Sequence, residues 1–68
     1  MNIIISIRYN SPAGIVLQQG EFHLKGRKPE QITVDWWKDI QREVYTEGLI
    51  EVKVNNEDIT NKVKALLN

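Results

Sequence analysis

His23 is the one histidine of the chain, and imidazole is the side chain best suited to moving protons near neutral pH. Its neighbours in sequence are Phe22, Leu24 and Lys25, none of which would orient or activate it as general acid–base chemistry requires. His23 therefore reads as an ordinary strand residue. The chain has no cysteine, which leaves out thiol nucleophiles, thiolate metal sites and disulfides. Asp35, Asp39 and Glu43 recur every four residues and so share one helix face, where they could present oxygen ligands to a hard cation. Lys38 and Arg42 interleave with them, and three helical carboxylates alone rarely complete a calcium or magnesium shell. A solvated, charge-paired face is the expected reading. Glu57 and Asp58 read as charges at a helix start, favoured there by the helix dipole. From these residues we expect no enzyme, no metal and no cofactor.

Two groups of residues point instead to binding. Lys25-Gly26-Arg27-Lys28 places three positive charges in four residues around a flexible glycine, a pattern able to grip phosphate through side chains and backbone N–H groups. A nucleic-acid-binding module using Lys25, Arg27 and Lys28 is the alternative this loop supports. Against it stands the overall balance of nine basic and nine acidic residues, since nucleic-acid binders usually carry net positive charge. Trp36 and Trp37 are adjacent, so on a helix they point about 100° apart and both cannot sit at the centre of one buried stripe. Trp37 belongs to the core. Trp36 falls on its flank, with Tyr45 a little over two turns later, and together they mark a candidate protein interface; Trp36 covering the edge of its own core is the plainer explanation.

These residues must be positioned by a short run of elements. Ile3, Ile5, Ile7 and Tyr9 alternate with Ile4, Ser6 and Arg8, the period-two signature of a strand, and Ile4 on the second face suggests a central place in the sheet. Asn10-Ser11-Pro12-Ala13-Gly14 collects turn formers and predicts a hairpin. In the next strand, residues 15–24, Ile15 and Leu17 lie in one phase and Phe22 and Leu24 in the other, which predicts a β-bulge near Gly20. A strand at the sheet edge would offer a surface for strand addition, while a bulge and Glu21 would guard it.

Helix signals follow. Thr33 as N-cap would place Ile32 and Trp37 at the spacing of a hydrophobic staple and Asp35 in the first turn. Val34, Trp37, Ile40 and Val44 then form the buried stripe of a helix over residues 34–46, closed by Gly48 in a left-handed conformation. Ile50, Val52 and Val54 alternate with Glu51 and Lys53 as a third strand facing in. Ile59, Val63, Leu66 and Leu67 follow helical spacing near the end. The expected fold is one α+β domain over residues 1–68, ββαβα, with a three-stranded antiparallel sheet in the order 2-1-3 packed on one main helix and a short C-terminal helix.

A chain of 68 residues accommodates a single domain and buries only about 60% of its unfolded surface. Its charge is uneven: residues 1–28 hold four basic residues against one acidic, net +3, and the remainder is net −3. The apolar stretch Ile3-Ile4-Ile5 is too short for a membrane span and lacks the flanks of a signal peptide, so we expect a cytoplasmic protein with no membrane partner.

The stretch from Gly26 to Val54 resembles small prophage-encoded domains of Mu-like phages. The likeness lies in a basic, Gly-containing loop, then Ile32-Thr33-Val34-Asp35-Trp36-Trp37 opening a helix, then Leu49-Ile50-Glu51-Val52 as a strand. It covers less than half of the chain and rests on hydrophobic pattern. The resemblance implies an accessory protein of phage particle assembly acting through protein contacts; it carries no catalytic or binding positions across. The function expected is a non-enzymatic protein-interaction module, binding a protein partner or a second copy of itself as a homodimer.

Overall fold

The computed structural model describes residues 2–67. Strand β1 (Asn2–Ser11) and strand β2 (Gly14–His23) form a hairpin, followed by helix α1 (Pro29–Glu43), strand β3 (Gly48–Val54), the two-residue strand β4 (Glu57–Asp58) and helix α2 (Thr60–Leu67). All pairings are antiparallel and the sheet order is β2-β1-β3-β4. The 2-1-3 order expected from the sequence is present, with β4 as a fourth strand beyond β3. A two-residue turn of Asn55 and Asn56 joins β3 to β4, both residues at positive φ (50° and 71°), a conformation asparagine tolerates better than most residues.

Both helices lie on one face of the sheet. Ile3, Ile5, Ile7 and Tyr9 of β1 are buried there with Val52 and Val54 of β3, Ile32, Val34, Trp37 and Ile40 of α1, and Ile59 and Val63 around α2. Tyr9 packs against Trp37 with ring centroids 5.3 Å apart, and its hydroxyl accepts a hydrogen bond from Gln18 Nε2 at 2.9 Å. The phenol is thus kept satisfied inside an apolar core. Thr60 ties α2 to the sheet: its Oγ1 accepts from Val52 N at 2.9 Å, and Ile59 N donates to Val52 O.

Several expectations need correction. The β1–β2 register is unbroken from Asn2↔His23 to Ser11↔Gly14, so there is no bulge at Gly20. The inward residues of β2 are Val16, Gln18, Gly20 and Phe22, and Ile15 and Leu17 point out. A Cβ at Gly20 would meet the Phe22 ring at 2.9 Å, with Trp36 also within 3.5 Å; Gly20 makes room for an aromatic lid. The register shift lies instead between β1 and β3, at Arg8/Tyr9, where Ile50 is the extra residue. Leu49 takes the inward place expected of Ile50 and packs against the core.

Helix α1 begins at Pro29 rather than after Thr33, since proline at the first helical position is preorganised and has no N–H to lose. Thr33 is fully buried within the helix, and its hydroxyl donates to Pro29 O at 2.8 Å. The helix ends at Glu43, with Val44 extended at φ −136°. Val44 is exposed, so Ile32 and Thr33 join the buried stripe in its place. Gly48 opens β3 and is not among the residues at positive φ. Leu66 is exposed, while Leu67 packs against the core.

Candidate functional site

The sheet has one covered face and one open face. On the open face stand Ile4, Ser6 and Arg8 of β1, Ile15, Leu17, Gln19, Glu21 and His23 of β2, and Glu51 and Lys53 of β3, as the register requires. Most polar members of this set satisfy one another. Gln19 Nε2 donates to Ser6 Oγ at 3.0 Å, Asn2 Nδ2 donates to Glu21 Oε2 at 3.4 Å, and Glu51 lies 3.7 Å from Arg8 and 3.9 Å from Lys53. Exposed pairs of this kind add little stability. The apolar members have no such cover: Ile15 is 67% exposed, Leu17 55% and Ile4 50%.

The edge of this sheet is also open at β2, which has β1 as its one neighbour. The hydrogen bonds of β1 show which backbone groups of β2 are free. Asn55 N donates to Ile4 O and Ile4 N donates to Asn55 Oδ1, so the Ile4 backbone is turned toward β3 and away from β2. Glu47 N donates to Asn10 O, which turns Asn10 the same way. Their β2 partners, Glu21 and Ile15, then direct N–H and C=O to the free edge. Because the ladder alternates, Leu17, Gln19 and His23 do likewise. Strand β2 thus presents a regular row of donors and acceptors along ten residues that contain no proline, lysine, arginine or bulge, the devices by which edges are usually blunted.

Trp36 is half-buried, packed against the core and stacked at a tilt on Phe22, centroids 4.9 Å apart. It covers β2 from the helix side, the plainer of the two roles expected for it. Tyr45 is 72% exposed and lies past the end of α1, so it does not share a helix face with Trp36. A signal that marks the real apolar surface was present in Ile15 and Leu17, in the opposite phase to Val16 and Phe22.

The basic loop is a tight turn, with Lys25 and Gly26 at positive φ and Arg27 N bonded to Leu24 O at 2.8 Å. Arg27 is engaged in an ion pair with Asp35. Lys25 and Lys28 are exposed. Lys28 borders an open groove of about 820 Å³ between α1 and α2, with Glu30, Gln31, Lys62 and Leu66 also on its walls; the lysines there share the space with a carboxylate. His23 is exposed at the end of β2, opposite Asn2, and no carboxylate among the described residues bonds to it. On α1, Asp39 pairs with Arg42 at 3.3 Å, and no group of three or more metal-ligating side chains occurs among the described residues. Asp58 lies at the end of β4, next to the start of α2. The Thr60 hydroxyl and then the Thr60 N–H, both donated to its carboxylate, hold its pKa below the usual 3.8. These bonds tie β4 to the start of α2.

Compared with protein-family models, curated proteins and solved structures, the chain matches none. No helix is long and apolar enough to cross a membrane among the described residues.

Proposed function

We propose that the chain is a non-enzymatic protein-interaction module of the cytoplasm, and that its docking surface is the free edge of β2 together with Ile15 and Leu17. The observation that carries this reading is the row of backbone groups facing outward along a ten-residue edge that has no bulge and a single carboxylate, Glu21, to guard it. Backbone pairing supplies affinity to any extended segment, and protruding side chains of alternate residues supply selectivity. Exposed Ile and Leu beside such an edge extend the contact beyond the ladder itself. The resemblance to Mu-like prophage domains makes particle assembly the process in which we place this contact.

The basic loop supports a second reading less well. Arg27 is held by Asp35, which leaves Lys25 and Lys28 to attract phosphate in a chain without net charge.

A photo-activatable side chain at Leu17, compared with one at Lys64 on α2, tests the proposal in the cells that make the protein. A discrete cross-linked product at position 17 and none at 64 is expected. No product at 17, or equal labelling at both positions, contradicts it. Short duplex DNA should leave the sedimentation of the protein unchanged. A salt-sensitive shift that disappears in Lys25→Ala/Lys28→Ala would move the function to the loop.

A further inference from the structure

We infer that the occupant of the β2 edge is a second copy of this chain, paired antiparallel through β2 about a two-fold axis beside Leu17; this rests on the reading of that edge as the docking surface. Three features of the molecule favour self-pairing. The first is the mismatch of the two sheet edges. One is the ten-residue β2 and the other ends in the two-residue β4, so a head-to-tail contact between unlike edges would be short. Pairing β2 with its own copy matches length to length and is isologous.

The second feature is closure. A two-fold dimer consumes both long edges and produces an eight-stranded sheet bounded at each end by β4. A strand such as Gly14–His23, rich in β-formers and carrying a single carboxylate, Glu21, is otherwise prone to unlimited edge association.

The third feature is the placement of side chains. The residues whose backbone groups face the free edge are Ile15, Leu17, Gln19, Glu21 and His23, and an antiparallel ladder pairs such residues with one another. With Leu17 opposite its copy, Ile15 faces Gln19 and lies diagonal to the other Leu17, so four apolar side chains meet on the open face. Glu21 then faces Ala13 of the turn, well away from its copy. Parallel pairing of the same two free edges would turn one sheet over, so that Ile15 and Leu17 of the two copies would lie on opposite faces and would not meet. A contact along one strand lies at the low end of the roughly 1,200–2,000 Å² of stable complexes, so the dimer is reversible and concentration-dependent.

Sedimentation over a wide concentration range tests this, with Leu17→Glu and Gln19→Pro beside the unaltered chain. Glu at 17 lies next to Arg8 within the monomer but opposite its own copy in the dimer, and Pro at 19 removes an N–H directed at the edge. The unaltered chain should pass from monomer to dimer as concentration rises, and both variants should stay monomeric with unchanged far-ultraviolet circular dichroism. A cysteine scan does not depend on either variant. Because the chain has no cysteine of its own, Leu17→Cys should oxidise to a disulfide-linked product of twice the 7.9 kDa chain mass, while Glu21→Cys should not. A hydrogen-bonded antiparallel pair has Cα atoms about 5.5 Å apart, within disulfide range. A strict monomer, a dimer indifferent to both edge variants, or equal oxidation at 17 and 21 overturns the inference. If the photo-cross-link at position 17 nevertheless joins a different protein, the edge remains the docking surface and only the identity of its occupant is wrong; no cross-link of any mass removes both.

Discussion

The two faces of the sheet differ in what lies over similar residues. On the covered face, Ile5 and Ile7 of β1 are sealed by Trp37, Ile40 and Val63 from the helices. On the open face, Ile4, Ile15 and Leu17 stand between polar pairs with half or more of their surface exposed. Aliphatic side chains on the first face hold the fold together. On the second they contribute little to the monomer, which leaves them available to a partner. The same contrast separates the two tryptophans, with Trp37 in the core and Trp36 laid over β2 at its margin.

The sharpest way to break this comparison is to truncate one isoleucine on each face. Ile7→Ala removes a fully buried side chain and should cost about 2–5 kcal/mol, a large share of the stability of so small a domain. Ile4→Ala, on the same strand but the opposite face, should change monomer stability by no more than about 0.5 kcal/mol. Urea denaturation at low protein concentration measures both. Equal losses would mean that the open face is covered within the monomer.

A smaller effect is expected at the margin. Gly20→Ala would press a methyl group into the Phe22 ring beneath Trp36, and overpacking of this kind should cost about 1–3 kcal/mol. Tryptophan fluorescence should shift with it as the Phe22–Trp36 pair is displaced. An unchanged spectrum and stability would remove the aromatic lid from the account.

The smallest effect concerns acid. Asp58 has its folded pKa lowered by Thr60, so the stability it contributes is present above the usual carboxyl value and is lost as pH falls through the lower, folded value. Asp58→Asn should therefore lower stability slightly at neutral pH and change it little in acid below the folded value, so that the loss of stability below about pH 4, near the unfolded carboxyl value, is flattened. Thermal unfolding at a series of pH values measures this. An acid limb of unaltered slope would show that Thr60 donates elsewhere.

Much of the covered face is legible in the sequence because β-branched residues alternate strictly along β1 and because Trp37 and Ile40 keep helical spacing. Strand β2 is harder to read. Apolar residues occupy both of its phases, since an edge strand with one open face can carry Ile15 and Leu17 outward and Val16 and Phe22 inward. Residue type does not separate the two, and the apparent change of phase at Gly20 follows from taking the outward pair as inward. The helix start turns on competing signals: Thr33 is a good cap by type, but Pro29 followed by Glu30 already fulfils the opening turn, and Thr33 bonds back to Pro29 O. The bulge at Ile50 depends on how β3 meets β1, which no local pattern contains. Asn55-Asn56 does signal the tight turn to β4, although β4 itself is too short to show periodicity. Of the candidate sites, the basic loop lies where its composition places it, but its Arg27 is taken up by Asp35. Trp36 and Tyr45 do not share a helix face as the spacing predicts, because α1 stops two residues before Tyr45.

The most direct test of the central claim is amide hydrogen exchange along β2, read residue by residue at low and high protein concentration. At high dilution, the N–H groups of Val16, Gln18 and Phe22, bonded to β1, should be protected, and those of Leu17, Gln19 and Glu21 should exchange freely. At a free concentration ten times the dimer dissociation constant, the second set should slow about tenfold. Leu17, Gln19 and Glu21 protected even at high dilution would show an edge already covered within the monomer, and their free exchange at every concentration would show an edge that takes no second copy.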